Sequence, residues 1–219
     1  YATPNRALVD KEIDLNAFQH KAFLANDTAR NGYKITSIGD TILAPLCIFN
    51  NKSKIQKIAD IKDGDKIAIP ADLTNGGRAL KLLEAAGLIE IDPAKGYVPN
   101  KTDITKYNVK IEIVEAESGM LANLLPDVAA AVINGGNAFT AKLDPYKDSI
   151  YSENVDPKTN PYFSRLVNVI VARDADVKNP DYLKVVKAYN AQNVAQTLKD
   201  CYKGAYIPAW AGAADYKLK

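Results

Sequence analysis

The stretch DKIAIPADLTNGGRALKLLEAAG, residues 65–87, decides how this chain is read. Its first six residues are rich in isoleucine and end at Pro70, which predicts a buried strand. From residue 79 the period changes. Ala79, Leu82, Leu83 and Ala86 recur at i, i+3, i+4 and i+7, the spacing of one helix face. Thr74 or Asn75 is placed to cap that helix, and Gly87 to end it in the left-handed conformation. A strand, a glycine-containing loop and a helix in succession form a βα unit.

Similar units extend to either side. Ala7 and Leu8 suggest a short helix that runs into a strand at Ile13–Leu15, and residues 17–30 look helical. YKITSI (33–38) and TILAPLCIF (41–49) read as strands split by Gly39-Asp40. KIEIVEA (110–116), DVAAAVIN (127–134) and RLVNVIVAR (165–173) are further strands, and residues 180–202 carry a long helical pattern. Alternation of this kind predicts an α/β fold with largely parallel sheets. The fresh βα unit at residue 65 and the Pro/Asn/Tyr-rich loop 151–164 predict two lobes, 1–64 with 166–219 and 65–165.

Composition excludes several functions. Of the 219 residues 47% are hydrophobic and 25% charged, ordinary for a globular chain. The 28 basic and 26 acidic residues are interspersed, with no basic block to favour nucleic acid. One histidine and two cysteines, Cys47 and Cys201, leave no room for the usual zinc site. No cofactor is indicated. No apolar run approaches the roughly 20 residues of a membrane span.

Four residues carry the local argument about chemistry. Arg78 follows two glycines at a strand-to-helix junction, where helix N–H groups and a planar guanidinium suit a carboxylate. A flexible junction with a surface arginine explains it equally well. Asn134 ends the AAAVIN strand, where open α/β sheets bind ligands, and is read more simply as a turn residue before Gly135-Gly136. Asn168 interrupts an apolar strand, so it is pinned to backbone or faces a polar cleft. His20 shares a face with Phe18 if the chain is extended there. It is a structural residue or part of an aromatic pocket. It is also the one candidate for a base near neutral pH, should the chain be an enzyme.

The motifs Tyr1 with PNRAL (4–8), DLNAFQHK (14–21), GYK (32–34), IAIPADLTNGGRALKLLEAAGLI (67–89), AVIN (131–134) and LVNVIVAR (166–173) run in order along nearly the whole chain. In these the sequence resembles the NlpA family of methionine-binding lipoproteins of ABC importers. The resemblance implies a two-lobed periplasmic-binding-protein (type II) fold with a ligand cleft between the lobes, and no enzyme activity. It implies that Tyr1, Phe18 and His20 line the pocket for the thioether, that Arg78 holds the α-carboxylate, and that Asn134 and Asn168 hydrogen-bond the amino-acid backbone. The implied ligand is L-methionine, or a methionine-containing dipeptide or another small amino acid. The implied partners are the permease and ATPase of the importer, with the protein itself a monomer in the cell envelope. The family's first strand and helix, and the cysteine that carries its lipid anchor, are absent from this sequence. AESGMLANLLPDV (116–128) also departs from the family pattern.

Overall fold

The computed structural model describes residues 1–202 and 205–216. In chain order its helices are α1 (Pro4–Val9), α2 (Lys21–Asn31), α3 (Leu73–Ala85), α4 (Gly135–Thr140), α5 (Phe163–Leu166), α6 (Pro180–Tyr189) and α7 (Gln192–Tyr202). The strands are β1 (Asn16–His20), β2 (Ile35–Asp40), β3 (Ile42–Leu43), β4 (Leu46–Asn50), β5 (Lys66–Pro70), β6 (Ile89–Ile91), β7 (Ile104–Tyr107), β8 (Glu112–Ala116), β9 (Ala130–Asn134), β10 (Ser149–Ser152), β11 (Asn168–Arg173) and β12 (Ile207–Pro208). No helix among the described residues is long and apolar enough to cross a membrane.

The chain divides into two compact units, Tyr1–Ala44 with Val155–Lys219, and Pro45–Asn154. The crossings fall at 44/45 and 154/155 rather than at 64/65 and 165/166. The reason is β4, which pairs with β9 and β10 inside the second unit's sheet. The first crossing must therefore precede residue 46, and the second must follow β10.

The first unit is built on an antiparallel sheet of order β1-β11-β2. Leu8, Leu24, Ile35, Val169 and Val171 form its core. The strand expected at 13–15 lies at 16–20, and the helix expected from 17 begins at Lys21. Buried amides explain the shift. Asn5 Nδ2 donates to Gln19 Oε1 and to Asp27 Oδ2, both at 2.8 Å. Asn16 Nδ2 donates to Asn5 Oδ1 at 3.0 Å, and Gln19 Nε2 donates to Asn16 Oδ1 at 3.2 Å. Polar groups this deep must be paired, and an irregularity in β1 between Asn16 and Gln19 lets both residues, three apart, reach Asn5 from an extended segment. Further along, Gly39 of β2 meets α6 closely. A Cβ there would stand 2.4 Å from Val186 Cγ1.

The second unit holds a five-stranded sheet of order β10-β4-β9-β5-β8. It is mixed rather than largely parallel: β5 runs parallel to β8 and β9, while β4 is antiparallel to both β9 and β10. Both faces are covered, so its strands read as unbroken apolar runs. Side chains alternate between the faces. Leu46, Ile48, Ile67, Ile69 and Val132 pack with Leu80 and Leu83 of α3. Cys47, Phe49, Ala68, Ala131 and Ile133 pack on the other side with Leu121 and Ala138. A short hairpin, β6–β7, completes the unit.

Candidate functional site

In the second unit the chain ends of β5, β8 and β9 lie along one edge of the sheet, and α3 starts from it. The helix begins at Leu73, earlier than expected, with Asp72 as its cap: the Asp72 carboxylate accepts from Asn75 N at 2.9 Å. Gly76 and Gly77 thus sit inside the first turns and not in a phosphate-style loop. Their role is packing. A Cβ on Gly76 would lie 2.8 Å from the Pro70 carbonyl oxygen, and one on Gly77 2.9 Å from Val98 Cα.

Arg78 stands in the second turn of α3 and is 3% exposed. Its Nε donates to Glu153 Oε1 at 2.7 Å, and its Nη2 donates to Glu153 Oε2. Leu46 N donates to the same Oε2 at 3.2 Å. The reading of Arg78 as a surface group on a flexible junction is thereby excluded. Burial disfavours its charge, but the attraction and hydrogen bonds of Glu153 outweigh burial, and its pKa is raised above the ordinary arginine value. Beside this pair, burial pushes the Cys47 thiol up to about 11. Both cysteines are free, Cys47 buried and Cys201 exposed.

Asn134 closes β9 and is 8% exposed. Its Nδ2 donates to Asn75 Oδ1 at 2.8 Å. Asn75 lies one helical turn before Arg78, so the two expected residues of this unit, Arg78 and Asn134, are brought to one place. Asn75, expected as a helix cap, belongs with them, as do Asp72 and Glu153, which the sequence does not single out. Asp72 was legible in principle, as an acid just ahead of an apolar periodic run. Glu153 lies in a loop with no motif, and only the pairing of β10 with β4 delivers it.

In the first unit Tyr1, Phe18 and His20 also come together, with Phe23 as an unforeseen fourth member. The Tyr1–Phe18, Tyr1–Phe23 and Phe18–Phe23 ring centroids are 6.1, 5.9 and 5.9 Å apart, and His20 stands edge-on to Phe23 at 6.3 Å. These are ordinary aromatic packing distances. Gln19 points into the amide network, which leaves Phe18 and His20 for this cluster. His20 Nδ1 caps α2 by accepting from Phe23 N at 3.0 Å, so the neutral ring carries its proton on Nε2. Asn168, half-buried on β11, sits directly across the ladder from His20. Among the described residues no three His, Cys, Asp or Glu side chains are gathered as a metal site.

Comparison with known proteins gives the family. The family model of the NlpA lipoprotein matches residues 1–210. The chain is 37% identical over 210 residues to the probable D-methionine-binding lipoprotein MetQ of Vibrio cholerae, covering 96% of this chain and 75% of that protein. It is 40% identical to outer membrane lipoprotein 3 of Mannheimia haemolytica, with 96% and 76% covered. Among solved structures it is similar to protein PG110 of Staphylococcus aureus, with a TM-score of 0.91 and 37% identity over 99% of this chain and 84% of that one. It is also similar to a nutrient binding protein of Burkholderia cenocepacia bound to methionine, with a TM-score of 0.89 and 34% identity over 96% and 85%. Sequence and fold agree over nearly all of the chain: it belongs to the NlpA lipoprotein family.

Proposed function

We propose that this chain is an extracytoplasmic substrate-binding protein that captures methionine and delivers it to an ABC importer. It is a binding protein and not an enzyme. The observation that carries this reading is the buried Arg78 guanidinium, one helical turn from the Asn75–Asn134 amide pair at the ligand-binding edge of an α/β sheet. Arg78 takes the carboxylate, and Asn134 and Asn168 take the rest of the amino-acid backbone. Tyr1, Phe18 and His20 surround the thioether, whose soft sulfur packs well against aromatic edges. The relatives named as methionine-binding, and the Burkholderia protein bound to methionine, support this choice of side chain. A relative from Coxiella burnetii described as the periplasmic substrate-binding protein of an ABC transporter supports the partner, an importer permease with its ATPase. The protein acts as a monomer. The family's description as lipoproteins supports a lipid anchor on an N-terminal cysteine.

The test is titration calorimetry on protein that has been unfolded, dialysed and refolded, with L-methionine, D-methionine, glycyl-methionine and alanine as ligands. The expected result is saturable one-to-one binding of methionine, lowered 10-fold or more by Arg78→Ala. Loss of a charge-assisted pair from a desolvated site costs on the order of 2–5 kcal/mol. No heat and no thermal shift with any of the four ligands would overturn the reading. Tighter binding of glycyl-methionine would move it to a dipeptide.

A further inference from the structure

A buried side-chain oxygen at the end of β9 is left over. Asn134 Oδ1 has no hydrogen-bond partner among the described residues, although the residue is more than nine-tenths buried. Its amide nitrogen is engaged with Asn75, so the carbonyl oxygen occupies the other branch of the amide. Which branch goes where is not free to vary. The Asp72 carboxylate is acceptor-only. Asn75 Nδ2 donates to both of its oxygens, at 3.1 and 3.0 Å. That turns the Asn75 amide oxygen toward Asn134. An oxygen there demands a donor, so Asn134 must offer Nδ2 to it, at 2.8 Å. Three side chains in series therefore carry a fixed polarity from Asp72 outward, and its last atom is an acceptor. The buried carbonyl is costly to leave unpaired.

We propose that Asp72 and Asn75 are positioning residues that hold Asn134 with its carbonyl oxygen presented to the α-ammonium group of the bound amino acid. This rests on the reading of the chain as an amino-acid-binding protein, and it assigns Asn134 a donor on the ligand rather than the carboxylate that Arg78 takes. The relay makes a primary amine a condition of tight binding. It also makes the orientation of Asn134 depend on a residue that need not touch the ligand.

The experiment compares L-methionine with 4-(methylthio)butyrate, which keeps the thioether and carboxylate but lacks the amine, by calorimetry on wild type and two variants. Asp72→Asn keeps a helix-capping oxygen but places an amide N–H₂ against Asn75. It should turn Asn75 and Asn134 over, so that an N–H₂ faces the ammonium. Wild type should prefer methionine to the analogue at least 10-fold. Asp72→Asn should weaken methionine about 10-fold and the analogue less than twofold. Asp72→Asn with Asn134→Asp returns an acceptor to the end of the relay and should restore methionine to within about threefold of wild type. Wild type that binds both ligands equally overturns the proposal and needs no variant to do so. Equal losses for both ligands in Asp72→Asn, or no rescue in the double variant, also overturn it, while leaving methionine capture intact. Absence of methionine binding to wild type overturns the functional reading itself.

Discussion

Replacing Glu153 by glutamine removes one charge from the buried pair and little else. Glutamine keeps the shape and still offers an oxygen to Leu46 N. Arg78, 3% exposed, is then left with its charge and no counter-charge, while the side chain at 153 was itself only 12% exposed. Breaking a buried pair from one side costs about 3–5 kcal/mol. The lower end applies here, because glutamine can accept one of the two guanidinium bonds. With an m-value of roughly 2 kcal/mol/M in urea, about 3 kcal/mol moves the unfolding midpoint of the second unit down by about 1.5 M. The change is followed by far-ultraviolet circular dichroism at neutral pH. The pair Arg78→Met with Glu153→Leu removes both charges together and should recover at least 2 kcal/mol of that loss, since apolar replacement of a whole buried pair is close to neutral. A midpoint shift under 0.5 M, roughly 1 kcal/mol by the same m-value, would refute the reasoning, because it would mean that water screens the pair. So would a double variant whose loss equals the sum of the two single losses.

Phe18→Ala should weaken methionine about 10-fold, or 1.4 kcal/mol, through lost aromatic and sulfur packing, and should leave the affinity for alanine within twofold. Equal losses for both ligands would remove Phe18 from the side-chain pocket. A thiol reagent at pH 8 should modify Cys201 alone in the native protein and both cysteines in denaturant, because burial raises the Cys47 thiol to about 11. The folded state thus favours the neutral thiol. That contribution to stability is complete below the unfolded thiol's pKa and is lost as pH rises toward 11. Two fast-reacting thiols in native protein would show that β4 opens readily. Asn5→Ala strands the amides of Asn16 and Gln19 and should cost the first unit about 3 kcal/mol in urea unfolding, at 1–3 kcal/mol for each unpaired group. A loss below 1 kcal/mol would mean that water replaces Asn5.

The sequence made the second unit's framework legible because burial on both sheet faces writes itself as apolar runs, as in IAIP and AAAVIN. The α3 face was equally plain from Leu82 and Leu83. The N-terminal register was not. NAFQH mixes polar and apolar residues without a strand's alternation, and what makes it a strand is its pairing with β11 and the buried partners that Asn5 of α1 and Asp27 of α2 supply. The split between α6 and α7 at Asn190-Ala191 was likewise hidden inside a continuous helical period. The motifs single out Arg78 and Asn134 but not the residues that hold them. Asn134 was read without Asn75, and Arg78 without Glu153. In both cases the partner is distant in sequence, and only strand pairing reveals it.

That partnership explains why the sheet departs from parallel order. Strands β5, β8 and β9 run together, so Pro70, Ala116 and Asn134 end at one edge. A fourth parallel strand beside β9 would finish there as well, but it would need a crossover connection. Instead β4 enters at that edge with Leu46 directly opposite Asn134 and runs back antiparallel. β10, antiparallel to β4, then runs parallel to β9 and brings its own end to the same edge. The residue just beyond that end is Glu153, whose N–H donates to the Leu46 carbonyl at 2.9 Å. The two antiparallel steps thus do two things: they bring the chain into the second unit and out of it at one edge, and they deliver the acid that keeps a buried arginine charged.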